Sequence, residues 1–402
     1  MYTIYIQHIY KVHDIFFISG LFQSSDANEV IRASGEYTLE KAKKKAQERI
    51  DHLFNVSLHI AVTGESGTGK SSFINAFMGL ADDEEGAAKT GRTETTTEPT
   101  PYQHPTMPNV TLWDLPGVGN IKYTAETYFK AVEFHKYDFF IIISSVRFRE
   151  NDFKLAKEIQ RRKKKFYFVR SKIDDAIQAE ERKKTFNKEK TLSEIRRDCQ
   201  ENLKELGNPP VFLISSWNLS DFDFEKLVFT LNSELPEHKQ YALLQSAPVT
   251  SVALLEKKVD MFKKLIWAAA IASGGIAAVP DRPGLTFACD TVIVISFFTK
   301  CYYAFGLDGR SLEKLSERVN KPELKNLEKA PLLKELAASS ALRMGWSAAG
   351  EFLCSLVPGL GSAVAATTSL AITHDVLENG LKVLADEARK VLTVAGLEKG
   401  TQ

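Results

Sequence analysis

Cysteine is scarce in this chain of 402 residues, and the few present are scattered. Cys199, Cys289, Cys301 and Cys354 form no CxxC pair, which excludes a zinc module and a disulfide framework and fits a reducing compartment. An excess of charge of one sign is missing as well. Lys and Arg number 52 against 51 for Asp and Glu, a formal net charge of +1, which excludes a nucleic-acid binder that works by broad phosphate neutralisation. There are no internal repeats, low-complexity tracts or charged tails. Clean apolar runs are few. Residues 1–28 are apolar in part but carry His8, Lys11, His13 and Asp14, the wrong order for a secretory signal, and are expected to form an irregular leader. The GLFQS from Gly20 to Ser24 has the spacing of an acylation signal but follows Ser19. Leu265 to Pro280 and Phe352 to Thr373 are uncharged, yet the first is short for a span and Pro358, Gly359 and Gly361 interrupt the second. Buried core helices are expected for both, with contact to lipid as the alternative. The remaining composition, 44% hydrophobic and 26% charged, is that of a globular chain of about two to three domains.

From Thr38 to Phe54 the residues Leu39, Ala42, Ala46, Ile50 and Leu53 step by three or four, which predicts a helix with one buried face. The period then changes. SLHIAVTG, NVTLWDLP, YDFFIIISSV, KFYFVRSK and PVFLISS are short β-rich runs separated by helical or loop-like stretches, the pattern of an α/β fold with a largely parallel sheet. Phe139 to Ile143 reads as a strand buried on both faces. Beyond Pro236 helical periodicity takes over, as in Leu377, Leu381, Leu384, Ala388 and Val391, with Asp375 and Glu378 as the expected start of that helix and Gly396 as its stop. The expected organisation is a leader (1–28), an N-terminal helical segment (29–55), an α/β domain (56–240) and a C-terminal helical domain (241–402).

The chemistry concentrates in the α/β part. Gly64-Glu65-Ser66-Gly67-Thr68-Gly69-Lys70-Ser71 fits GxxxxGK[ST] between a strand pattern and a helix pattern, the context a phosphate-binding loop requires. Glycines at 64, 67 and 69 let backbone N–H groups turn toward phosphate oxygens, Lys70 brings a cation to the β and γ phosphates, and Ser71 would hold Mg²⁺. Trp113-Asp114-Leu115-Pro116-Gly117 ends the next strong strand and matches DxxG, with Asp114 toward Mg²⁺ and the Gly117 amide toward the γ-phosphate. Between the two lies a hydroxyl-rich loop, Thr90 to Thr97, from which one threonine would complete the Mg²⁺ shell; composition does not say which. Ser171-Lys172-Ile173-Asp174 stands where guanine-specific proteins carry [NT]KxD. Asp174 can accept from the ring N–H and exocyclic amine of guanine, which adenine does not offer, so GTP and GDP are preferred over ATP. Ser171 keeps a hydroxyl but reaches less far than Asn. Ser215-Ser216-Trp217 follows the last strand as a candidate cap on the base. Arg161 to Lys165 reads as a solvated helix end, Asp82 to Glu85 as part of the loop before Thr90, and His104 and His135 lack partners at metal spacing.

GESGTGKSSFINAFMG, EEGAAKTG, NVTLWDLPGVG, YDFFIIISSVRF and the pairing of KFYFVRSKID with FLISS together resemble the immunity-related, interferon-inducible GTPases, most closely from Val56 to Pro236. The resemblance implies an α/β Ras-like P-loop GTPase domain with a mainly parallel sheet, set on a composite helical domain built from N- and C-terminal segments. It also implies GTP-driven homo-oligomerisation through the nucleotide faces, and cytoplasmic localisation with peripheral association to intracellular vacuolar membranes in cell-autonomous defence. Nucleotide contacts follow at Gly67, Gly69, Lys70, Ser71, Ser72, Thr90, Gly91, Lys172, Asp174 and Ser216, and Thr96 matches a second switch threonine. The capping loop departs from the family, with Ser-Ser-Trp in place of Ser-Asn-Lys. Val118 follows the DxxG motif, and valine cannot orient water as the glutamine of many small GTPases does, so slow intrinsic turnover is expected. Glu65, beside Lys70 as the second catalytic candidate, is the family-matched residue for completing the site when two GTP domains face each other. The competing expectation is a regulatory module that binds GTP, hydrolyses it negligibly and controls partner docking.

Overall fold

The computed structural model describes residues 31–91, 96–117, 128, 132–146, 148–274, 283–326 and 370–398. The leader, Val118 and residues 352–369 of the second uncharged stretch lie outside them. The β-rich runs become β1 (Leu58–Thr63), β3 (Val110–Asp114), β4 (Phe139–Ser144), β5 (Lys165–Arg170) and β6 (Val211–Leu213), all parallel, and the sheet order is β2-β3-β1-β4-β5-β6. All of β4 is buried, as its unbroken apolar run demands for a strand covered on both faces. The strand that the sequence pattern did not announce is β2 (Thr100–Gln103), which runs antiparallel to β3 with Tyr102 opposite Leu112. It contains Pro101, which has no N–H to give to a ladder, and an edge strand is where that loss is tolerated.

Helices follow the parallel strands: α2 (Lys70–Met78) after β1, α3 (Glu150–Arg161) after β4, α4 (Ile173–Glu181) and α5 (Lys188–Asn202) after β5, and α6 (Phe224–Glu234) after β6. Leu155 and Ile159 of α3, Ile173 and Ile177 of α4 and Cys199 of α5 form one buried cluster with Phe140, Ile142 and Phe168 of the sheet. Phe77 of α2 meets Phe224 of α6 edge-on, with ring centroids 6.1 Å apart. Local signals fix the helix ends. The Asn187 side chain accepts from the Lys190 amide at 2.9 Å to start α5, and Gly79 in the left-handed region, φ 66°, stops α2.

The chain forms two compact units. The unit with the sheet spans Asn55–Lys258, Tyr303–Leu327 and Ala388–Gln402, so it also takes in α7 (Glu237–Ser246) and α10 (Gly309–Val319). The other spans Met1–Phe54, Val259–Tyr302 and Glu328–Glu387. It contains α1 (Leu39–Asn55) but for its last residue, with Ala42, Ala46, Ile50 and Leu53 buried along one face as their spacing predicts, and most of α8 (Val252–Gly274), α9 (Pro283–Ala304) and α11 (Leu370–Ala395). Among the described residues no helix is long and apolar enough to cross a membrane. Leu265, Ile266, Ala269, Ala270 and Ile271 of the first uncharged stretch are buried in α8.

The expected start of α11 at Asp375 is corrected. The helix already runs from Leu370, because Leu370, Ala371 and Ile372 continue the helical pattern upstream and Asp375 falls inside it. Gly396 does end it, at φ 78°, with its N–H on the Thr393 carbonyl. Inside α11, Gly380 faces Phe298 of α9 so closely that a β-carbon would overlap the ring. Replacing a helical glycine with alanine ordinarily stabilises by about 1 kcal/mol, whereas overpacking a close contact costs about 1–3 kcal/mol. A rigid aromatic ring as the obstacle decides the sign. We expect Gly380→Ala to lower the melting temperature, and an unchanged or higher value in thermal unfolding would contradict this packing.

Candidate nucleotide site

The loop from Gly64 to Gly69 joins β1 to α2 under tight steric limits. A β-carbon on Gly64, φ 140°, would overlap the Ile143 carbonyl at the end of β4, and one on Gly117 would come within 2.9 Å of the Ser66 amide nitrogen. Gly67 and Gly69 sit in the left-handed region, φ 78° and 91°. The motif glycines therefore serve close backbone approach and positive φ, and the loop amides are left to face a ligand. A cavity of about 140 Å³ opens beside them. Its wall brings together Gly67, Gly69, Lys70, Ser71 and Ser72 from the loop and α2 with Thr90, Gly91 and Thr96 from the following loop, Gly117 from the DxxG turn, and Lys172.

Asp114 stands behind that wall, fully buried. Its Oδ2 accepts from Ser71 Oγ at 2.6 Å and from Thr96 Oγ1 at 2.9 Å, which singles out Thr96 among the loop threonines as the one gathered with the metal candidates. Its Oδ1 is buried with no partner. Burial pushes the Asp114 carboxyl above the ordinary range, against the pull of Ser71, Lys70 and Thr96. A divalent cation would satisfy the orphaned oxygen and reverse that shift, so the donor set of Ser71, Thr96 and Asp114 fits Mg²⁺.

At the base end, Asp174 lies in the first turn of α4, and its Oδ1 is likewise buried without a partner. Lys172, at φ 53°, stretches back so that Nζ donates to the Gly67 carbonyl at 3.0 Å. The shorter reach of Ser171 proves sufficient: its Oγ donates to the Thr68 carbonyl at 2.7 Å and ties the base loop to the phosphate loop. Ser216 is half-buried in a turn that Ser215 shapes by accepting from the Trp217 and Asn218 amides, and Trp217 is 81% exposed. Neither Ser216 nor Asp174 is in the cavity wall.

Sequence spacing did not reveal what holds Glu65 and Thr90. The Glu65 carboxylate accepts from Arg149 Nη1 at 2.6 Å and from Asn151 Nδ2 at 2.9 Å, both at the start of α3, while Lys70 Nζ donates to the Glu65 carbonyl at 3.0 Å. Asp82 accepts from Thr90 Oγ1 at 3.0 Å and from Asn75 Nδ2 at 2.8 Å, so the acidic loop supports the nucleotide loop. Asn75 is the hinge of that support, because its amide also exchanges hydrogen bonds with the Ala88 backbone.

The sequence profile of the interferon-inducible GTPases matches residues 24–394. Interferon-inducible GTPase 5 of Rattus norvegicus is 37% identical over 395 residues, covering 95% of this chain and 85% of its own. Its namesake from Bos taurus is 37% identical over 384 residues, 92% of this chain and 82% of that protein. Interferon-gamma-inducible GTPase 10 of Mus musculus is 42% identical over 286 residues, 69% of this chain and 67% of that protein. With a match that starts ahead of α1 and ends in the last turn of α11, and with its phosphate, switch and base motifs folded around one cavity, this chain belongs to the interferon-inducible GTPase family.

Proposed function

We propose that the chain binds GTP with Mg²⁺ in this cavity, hydrolyses it, and does so fastest when two nucleotide faces of the same protein meet. The observation that carries the reading is that two of the three buried, unpartnered carboxylate oxygens among the described residues belong to the site motifs, Asp114 Oδ1 at the phosphate end and Asp174 Oδ1 at the base end. Each such atom costs about 1–3 kcal/mol while unpaired, and guanine N–H groups and a divalent cation are the chemistries that relieve the two. Loop amides and Lys70 hold the phosphates, and Ser71, Thr96 and Asp114 hold Mg²⁺, which when bound offsets the charge that develops on the phosphate oxygens.

Water orientation falls to Glu65. Its carboxylate, 15% exposed, is tied to Arg149, whose side chain is 57% exposed and open to exchange with solvent or a partner. A second copy approaching the nucleotide face can therefore displace Arg149 and leave Glu65 Oε2 to accept from water while Oε1 keeps its bond from Asn151. The half-open cap, with Trp217 exposed beside Ser216, offers an apolar contact for that approach. Interferon induction rests on the names of the relatives, and a role in cell-autonomous immunity with peripheral association to intracellular membranes on the family resemblance.

GTP turnover per molecule is expected to climb with protein concentration, to vanish in Lys70→Ala, and to lose its concentration dependence in Glu65→Ala. Tight GTP binding with flat, negligible turnover would instead establish the regulatory module. In calorimetric titration, Asp174→Ala should weaken GTP binding by about tenfold or more, the loss of a charged acceptor for two N–H groups, and leave any ATP binding unchanged. Because the Asp114 carboxyl titrates above its ordinary range and only the ionised form ligates a cation, Mg²⁺ affinity should fall as pH drops from neutral toward that raised value. A pH-independent Mg²⁺ affinity in Ser71-intact protein would remove Asp114 from the metal set.

A further inference from the structure

A second cavity, of about 120 Å³, lies at the opposite end of α2 from the nucleotide loop. Ala76 to Gly79 form one side, and Arg310, Lys314 and Arg318 of α10 form another. Those three cations are four residues apart, so they line one face of the helix. We infer that this cavity is a second anion site that takes a phosphomonoester, independent of the nucleotide chemistry proposed above.

The inference starts from Arg318. Its Nε is buried without a hydrogen-bond partner, although the residue as a whole is only partly buried. Burial lowers its basicity, and the one opposing influence is Asp221, an exposed residue. A buried N–H left unpaired is costly, and a phosphoryl group is the partner whose oxygens match the planar fork of a guanidinium. The neighbours add to the positive field. Arg310 is exposed and forms no ion pair among the described residues, and Lys314 Nζ is shared with Glu84 at 3.2 Å. Lys258 is fully buried behind the wall, donating to the carbonyls of Ala247 and Ala304, both lining residues.

Acidic and neutral groups at the cavity are accounted for. Asp308 caps α10 and spends its two oxygens on the Ser311 amide and hydroxyl. His104 is buried and held to about 3 by burial and by Lys258, so it stays uncharged near neutral pH. The volume is several times what one water needs, roughly 10–15 Å³, enough for a phosphoryl group and its ester oxygen.

The test uses the full chain saturated with a non-hydrolysable GTP analogue and Mg²⁺, so that the first site is filled. Inorganic phosphate and glycerol phosphate are expected to raise the melting temperature saturably. In Arg318→Met that rise should be lost, while the melting temperature without phosphate stays equal or increases because an unpaired buried N–H is gone. Arg310→Ala, at an exposed position, should melt like the parent without phosphate and bind glycerol phosphate at least about threefold more weakly. Flotation on phosphatidylcholine vesicles that requires added phosphatidic acid and is lost in Arg318→Met would identify a lipid headgroup as the source. Soluble binding without flotation would identify a free phosphoester. Absence of both binding and flotation in the parent, a phosphate response that survives both variants, or a lower phosphate-free melting temperature for Arg318→Met would overturn the site.

Discussion

Everything at the nucleotide site depends on how closely the backbone of the phosphate loop can approach its surroundings. Gly64 lies against the Ile143 carbonyl with no room for a side chain, and Gly117 lies against Ser66. Ser171 and Lys172 donate to the Thr68 and Gly67 carbonyls. The end of β4, the DxxG turn and the base loop are thus all fastened to the same short stretch of main chain, and a shift of one moves the others. Parallel strands supply the frame, since β1 lies between β3 and β4 and carries the loop out at its carboxyl end.

Buried ionisable groups in the sheet-bearing unit fall into two kinds, and the difference is informative. Lys258 is fully buried, yet its ammonium is met by two carbonyls at helix ends, where the helix dipole favours a cation. It is pushed down to about 7 by burial but remains hydrogen-bonded, and its work is structural. Asp114, Asp152, Asp174 and Arg318 each keep a buried polar atom without a partner. The proposed nucleotide and its cation would meet Asp114 and Asp174, and the anion inferred at the far end of α2 would meet Arg318.

How much of this was legible in the sequence follows from how each feature is made. Phosphate, switch and base motifs were legible because they are local: glycine spacing, a strand before and a helix after. The buried strands were legible because a strand covered on both faces must be apolar throughout. β2 was not, since a short edge strand with half-exposed alternation and a proline carries almost no pattern. The Asp375 start misled because a capping residue signals a helix end only where the chain upstream cannot continue the helix. Long-range pairings such as Glu65 with Arg149 were out of reach, 84 residues apart with nothing in either local stretch to announce the other. Arg318 reads in sequence as one more cation on an amphipathic helix, and only the packing around it removes its partners.

α2 connects the two ends. Its first turn carries Lys70, Ser71 and Ser72 into the wall of the first cavity, and its last turn forms one wall of the second. The loop that leaves α2 holds Glu84, paired with Lys314 of α10, and Asp82, which accepts from Thr90 in the wall of the first cavity. Asn75 braces this loop from inside the helix. The two anchors of this loop differ in kind: the Lys314–Glu84 pair is partly exposed and weak, whereas the buried Asn75–Ala88 bonds hold the loop to α2 from inside.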